Sequence, residues 1–145
     1  MTKRVISDII AGRTLVSGTA EMTVRAACKL MAEKKIGALL VLDGDRVAGI
    51  FTERDVLMKI VAGSVDPDKT PLSAVMVKDP QTIRGAQSLA YALLMMMEGG
   101  YRHVPVLDDN GKVMGMVSSR DAMGEDLVRL GQEMARRAVV ENPRN

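Results

Sequence analysis

The chain is written twice, in register. Thr23-Val24-Arg25-Ala26-Ala27-Cys28-Lys29-Leu30-Met31 aligns with Ser88-Leu89-Ala90-Tyr91-Ala92-Leu93-Leu94-Met95-Met96 at a constant offset of 65 residues. The corresponding apolar positions, Val24, Ala27, Cys28, Met31 and Leu89, Ala92, Leu93, Met96, recur at i, i+3, i+4 and i+7. Each segment therefore reads as an amphipathic helix opened by a hydroxyl residue suited to the N-cap. The same offset carries Ala38-Leu39-Leu40-Val41-Leu42-Asp43 onto His103-Val104-Pro105-Val106-Leu107-Asp108, short apolar runs that read as buried strands. Asp43-Gly44-Asp45 and the longer Asp108-Asp109-Asn110-Gly111 have hairpin chemistry. Beyond them Arg46 to Phe51 pairs with Lys112 to Val117, and a second helix is predicted in each copy, from Thr52 and from Ser118.

A short lead-in recurs too, Val5-Ile6-Ser7-Asp8-Ile9-Ile10 being echoed by Pro71-Leu72-Ser73-Ala74-Val75-Met76. The division expected is one repeat over 5–62, a linker over 63–71 carrying Gly63, Pro67 and Asp66, a second repeat over 72–124, and a helical extension with a frayed tail over 125–145. One repeat of this size leaves half of its faces wet, so two copies packed together are the smallest stable object.

Composition excludes several functions. Aromatics are only 2% of the chain, too few for the stacking platforms of single-strand nucleic-acid binders. Basic residues exceed acidic ones by 20 to 18 and are interspersed with them, which argues against DNA or anionic membranes as partners. The start, Met1-Thr2-Lys3-Arg4-Val5-Ile6-Ser7-Asp8, meets Asp8 before any signal-peptide run, and the longest apolar run, Leu89 to Met97, is about half a membrane span. A cytoplasmic protein is expected. Cys28 falls at a helical core spacing and is read as a buried thiol. The single His103 has no companions for a metal site, and no nucleophile and base stand at catalytic spacing, so neither metal chemistry nor an enzyme is expected.

The sharpest motif is also doubled: Gly49-Ile50-Phe51-Thr52-Glu53-Arg54-Asp55 and Gly115-Met116-Val117-Ser118-Ser119-Arg120-Asp121. Thr52 with Asp55, and Ser118 with Asp121, have the spacing of a capping box, with Asp in place of the usual Glu or Gln. The same residues suit a ligand. Backbone N–H groups at a helix start attract phosphate, the hydroxyl adds a donor, and the carboxylate can accept from ribose hydroxyls. Gly49 and Gly115 would leave room for a ligand to approach the strand.

This doubled phrase resembles the tandem CBS-domain pair, the family named for cystathionine beta-synthase, over nearly the whole chain, from about Val5 to about Gly124. The resemblance implies an α/β fold of the α+β type, with two β-α-β-β-α CBS repeats about a pseudo-two-fold axis and clefts between them that hold adenosyl nucleotides. By carry-over Asp55 and Asp121 bind ribose, and Thr52 and Ser118 bind phosphate. The adenine slots fall at Val16-Ser17 with Ile36-Gly37-Ala38, and at Thr82-Ile83 with Tyr101-Arg102-His103-Val104-Pro105. Tyr101 to Val106 also resembles the family's basic-pair element, which reaches phosphate. Gly37-Ala38 lacks the basic pair, so the two sites are expected to be inequivalent. Arg54 and Arg120 stand where they could assist or simply be solvated.

The resemblance implies a stand-alone, non-catalytic regulatory module that senses AMP, ADP, ATP, NAD or S-adenosylmethionine and acts through homodimer geometry or an effector protein. The alternative is a nucleotide-independent scaffold for dimerisation or for docking to an enzyme or transporter, with the Thr/Ser and Asp pairs serving only as caps. Family dimers commonly form through the helices after the hairpins, here Asp55 to Val61 and Asp121 onward. The last helix is expected to run on through an apolar stripe of Met123, Leu127, Leu130, Met134 and Ala138, with some preference for a dimer contact. Met95 and Met97 cannot both share the face of Met96, so part of their helix is also free for a second subunit. The remaining Met residues serve as core filler in a chain poor in rings.

Overall fold

The computed structural model describes residues 4–141. Met1-Thr2-Lys3 and the tail beyond Glu141 lie outside them. The elements run α1 (Ile6–Ile10), β1 (Ser17–Gly18), α2 (Val24–Lys34), β2 (Ala38–Asp43), β3 (Arg46–Thr52), α3 (Glu53–Asp55), β4 (Val77–Lys78), β5 (Ile83–Arg84), α4 (Leu89–Gly99), β6 (His103–Leu107), β7 (Val113–Ser118) and α5 (Gly124–Glu141). A π-helical stretch, Val56–Val61, continues α3, and single 3-10 turns stand at Leu72–Ala74 and Ser119–Asp121. The architecture is α+β with two sheets, as the doubled pattern predicts.

The compact units do not follow sequence order. One gathers the described residues up to Arg13 with Thr82–Asp108 and those from Met114 onward, and the other gathers Thr14–Gln81 with Asp109–Val113. Each lead-in thus docks on the body of the other repeat, and the bonds are themselves duplicated. Leu72 donates to the Met22 carbonyl (2.8 Å) and Ser73 to Ala20 (3.0 Å), matching Ile6 to Gln87 (2.9 Å) and Ser7 to Gly85 (2.9 Å). The first free N–H of α2, at Val24, reaches the Thr70 carbonyl (2.9 Å), while that of α4, at Leu89, reaches Arg4 (3.1 Å). Residues 63–71 therefore do more than link. Their carbonyls satisfy helix-start donors that would otherwise lack partners.

In the Thr14–Gln81 unit the sheet order is β1-β2-β3-β4, with β1 parallel to β2 and the other pairs antiparallel. Its core joins Val24, Ala27 and Met31 of α2 to Leu39, Val41 and Phe51, closed by Ile60, Leu72 and Val75. Cys28 packs against this core half-buried, less enclosed than its spacing suggests. In the other unit the order is β5-β6-β7, with β5 parallel to β6. Leu89, Ala92, Leu93 and Met96 of α4 meet Val104, Val106 and Val117, closed by Ile6 and Ile10 of the lead-in. Thr23 and Ser88 cap their helices as expected, accepting from Ala26 (3.1 Å) and Tyr91 (3.2 Å). Met95 also lies against this core, while Met97 is exposed.

One expectation is corrected. The C-terminal helix is not an extension of the helix that begins at Ser118. After the Ser119–Asp121 turn, Ala122 is extended (φ −69°, ψ 137°) and α5 starts afresh. The break has a cause, because Asp126 accepts from the Met123 amide at 2.8 Å and so caps a new helix. Asp126 is buried beneath Arg4, which bonds its carboxylate and also reaches the Asp121 carbonyl at 3.3 Å. Of the apolar stripe, Leu130 packs on the unit's own core, and Arg137 bonds Glu98 of α4 at 2.5 Å. Met123, Leu127 and Met134 stay exposed. No helix among the described residues is long and apolar enough to cross a membrane.

Candidate functional site

Both expected caps are built, one in each unit, but the first opens a helix that continues to Val61 whereas the second opens only the single 3-10 turn Ser119–Asp121. At the first, the Thr52 amide donates to Asp55 Oδ2 (2.9 Å), the Thr52 hydroxyl donates to the same oxygen (3.1 Å), and the Asp55 amide reaches back to Thr52 Oγ1 (3.3 Å). At the second, the Ser118 amide donates to Asp121 Oδ2 at the same 2.9 Å, while the Arg120 amide reaches Ser118 Oγ (3.3 Å). Both are reciprocal capping boxes, and Asp is long enough to close them because the turn between is tight. The capping role read from the spacing is therefore present, and it fixes each carboxylate in place. The Asp55 and Asp121 side chains are only 9% and 11% exposed.

A second duplicated bond ties each helix start to the preceding strand. The Glu53 amide donates to the Gly37 carbonyl (2.9 Å), and the Ser119 amide to the Arg102 carbonyl (3.0 Å). Ala38 then pairs with Thr52 across β2 and β3, which brings Ile36-Gly37-Ala38 beside the Thr52 and Asp55 pair. Arg102-His103 stands in the same relation to Ser118 and Asp121. Ser17 pairs with Leu40, and Ile83 with Val106, so Val16-Ser17 and Thr82-Ile83 run alongside the same strands two or three residues further on. Val104 and Pro105 are buried in β6, and Arg54, Arg102 and Arg120 are exposed. His103 is half-buried. The Tyr101 ring lies on the end of α4, where a Cβ on Gly99 would come within 2.0 Å of it, and packs on the core. Burial, with Glu98 nearby, pushes its hydroxyl pKa upward.

The argument from the two strand glycines is corrected. A Cβ on Gly49 would stand 2.7 Å from Met76 Sδ and 2.8 Å from the Val77 carbonyl, and one on Gly115 would stand 3.2 Å from Ile10 Cδ1. The room that a missing side chain leaves is filled by protein, namely the segment leading into β4 and helix α1.

Three participants were not read from the sequence. Lys59 pairs with Asp55 Oδ1 at 3.1 Å and donates to the Val75 carbonyl at 2.7 Å; its i+4 spacing from Asp55 was the available signal. Arg13 donates through Nη2 to Asp121 Oδ1 at 2.7 Å, and Arg4 stands close by. No local spacing reveals a contact between residues 108 positions apart. Burial alone would raise the Asp121 carboxyl, but hydrogen bonds from Arg13 and the Ser118 amide, with the charges of Arg13 and Arg4, hold it below the usual carboxylate range. The bond to Asp121 correspondingly raises the Arg13 guanidinium. Among the described residues no three His, Cys, Asp or Glu side chains cluster as a metal site would require.

The CBS domain family model matches residues 6–62 and 72–127. A putative signal-transduction protein with CBS domains from Burkholderia ambifaria MC40-6 is 40% identical, with a TM-score of 0.75 over 81% of this chain and 89% of that one. The CBS domain protein PAE2072 from Pyrobaculum aerophilum, solved in complex with AMP, is 26% identical, with a TM-score of 0.80 over 88% of this chain and 98% of that one. The Arabidopsis thaliana CBS domain-containing protein CBSCBSPB1 is 30% identical over 77% of this chain and 20% of its own length. The chain spans 20% to 60% of the length of the first curated relatives it matches. With both halves matched and their caps and lead-in bonds repeated, the chain belongs to the CBS-domain family as a tandem pair of CBS repeats.

Proposed function

We propose that the chain is a regulatory module that binds an adenosyl nucleotide: AMP, ADP, ATP, NAD or S-adenosylmethionine. In this reading Asp55 and Asp121 accept from ribose hydroxyls, Thr52 and Ser118 serve the phosphate side, and the residues from Ile36 to Ala38 and from Tyr101 to Pro105, with Val16-Ser17 and Thr82-Ile83, flank the base. One observation carries it: a single geometry is built twice, each carboxylate being nearly buried and held at 2.9 Å by the amide of its own hydroxyl residue. A carboxylate has about four lone-pair positions, so it can keep its cap and still take a ligand hydroxyl. The AMP bound to the Pyrobaculum aerophilum relative supports the ligand class. Arg102 and His103 have no counterpart at Gly37-Ala38, which favours a firmer phosphate grip on the Asp121 side.

The output is a change in homodimer geometry or in the hold on a partner protein. Exposed Leu57, Met58 and Val61 in one unit, and Met123, Leu127 and Met134 in the other, supply apolar surface for such contacts. A ligand shifts the arrangement only by its unequal affinity for the two states. The second reading, a nucleotide-independent scaffold, is favoured by the fact that both carboxylates already have protein cations as partners. Calorimetric titration of each of the five ligands into nucleotide-stripped protein separates the two. Saturable heat with at least one of them is expected, and silence with all of them leaves only the scaffold.

A further inference from the structure

The stretch from Arg4 to Arg13 sends two arginines to the segment around Asp121, and they are held very differently. Arg4 is mostly covered, at 21% exposed, and is anchored by buried Asp126, the Asp121 carbonyl and, at 3.8 Å, Glu125. Removing it would strand a buried carboxylate, so it is part of the framework. Arg13 is 48% exposed, and the side-chain bond described for it is the one to Asp121 Oδ1. It follows the turn after α1, beyond Gly12 with its positive φ of 78°, its amide bonded to the Ile10 carbonyl at 3.1 Å. The Ser118 amide holds Oδ2, and Oδ1 is the oxygen Arg13 covers. Asp55 differs, because its cation, Lys59, is also tied to the Val75 carbonyl and belongs to the scaffold on which that site is built.

We propose that Arg13 is a releasable latch on the second site: its guanidinium stands in for the ligand on Asp121 and must leave Oδ1 before a ribose diol can take both carboxylate oxygens. This rests on the nucleotide-binding reading. The latch lowers the affinity of the Asp121 site at low ionic strength below what its other groups would give. Because the Arg13 side of the pair is half-exposed, salt screens it in part and eases release. It also ties occupancy to the N-terminal segment, since a ligand at Asp121 frees Arg13 while Arg4 stays anchored to α5.

The test is calorimetric titration of AMP into full-length protein carrying Asp55→Ala, which leaves the Asp121 site alone, with Arg13 intact or replaced by Ala or Lys. Removing the latch is expected to tighten AMP binding by up to about fivefold at low salt, the upper end of what an ion pair with a half-exposed partner supplies. The gain is expected to shrink as salt is added, and Arg13→Lys to fall between. Weaker binding by Arg13→Ala would make Arg13 a ligand and overturn the latch, as would an unchanged affinity. Loss of all binding on Asp55→Ala alone would overturn it as well, because no second site would exist. Failure of the unmodified chain to bind AMP or any other adenosyl nucleotide would instead remove the nucleotide reading, and the latch with it. Circular dichroism of the Asp55→Ala parent and of each Arg13 variant checks that all are folded before titration, and an unfolded parent is replaced by Asp55→Asn.

Discussion

Replacing Asp55 with Ala tests whether the first helix start is a tightly coupled capping box or a loose one. The carboxylate takes hydrogen bonds from the Thr52 amide at 2.9 Å and the Thr52 hydroxyl at 3.1 Å, and an ion pair from Lys59 at 3.1 Å. The Thr52 hydroxyl still caps the residue 55 amide in the variant, whereas the lost hydrogen bond from that hydroxyl to the carboxylate costs about 1 kcal/mol. The amide left without an acceptor in a partly buried place adds about 1 kcal/mol more. Lys59 is 42% exposed, so its pair contributes less than about 1 kcal/mol after solvent screening. The expected loss is therefore about 2–3 kcal/mol, or roughly 5–10 °C in Tm for a chain of this length. With no Trp in the chain, urea unfolding followed by far-ultraviolet circular dichroism is the suitable assay. Lys59→Met should account for less than a third of the loss. A change below about 0.5 kcal/mol for Asp55→Ala would refute the reasoning, since it would mean that the buried cap carries no stability.

Other outcomes follow from the same structure. Leu72, fully buried in a lead-in that docks on the opposite repeat's body, should cost about 3–5 kcal/mol as Leu72→Ala, measured by urea unfolding; a surface-like value would mean that the lead-in is not part of that core. Gly49→Ala drives a methyl toward Met76 Sδ and the Val77 carbonyl. It should destabilise by about 1–3 kcal/mol and leave Gly44→Ala as a separate, turn-strain case. The Asp121 carboxyl is held below its ordinary value, so its stabilising contribution is complete above the unfolded-state value of about 3.9 and is lost as pH falls through the lower folded value. Arg13→Ala should accordingly lower stability at neutral pH, and the difference from the unmodified chain should vanish in acid.

The doubled pattern made the two helix–strand–hairpin–strand bodies legible, because hydrophobic periodicity and cap residues are local signals. Thr23, Ser88, Thr52 and Ser118 all cap the helices or turns their positions predict. The exchange of lead-ins was not legible. Ile6 and Leu72 occupy equivalent sequence positions, and nothing in either segment says which body it will dock on. The separate start of α5 turns on Asp126, which looks like one more acidic residue on a charged helix until Arg4 covers it. Gly49 and Gly115 read in the sequence as room for a ligand, and no local signal says that protein fills that space. Arg13 escaped for the same reason as Arg4: ion pairs between distant segments leave no periodic trace.

The most direct measurement is carbon-13 NMR of the chain labelled at its aspartate carboxyls, recorded as AMP is added. Ribose bonding at the two helix starts predicts that the Asp55 and Asp121 resonances move with AMP concentration while that of buried Asp126, committed to Arg4, moves little. AMP binding that leaves both resonances in place, or no change anywhere up to saturating nucleotide, would contradict it.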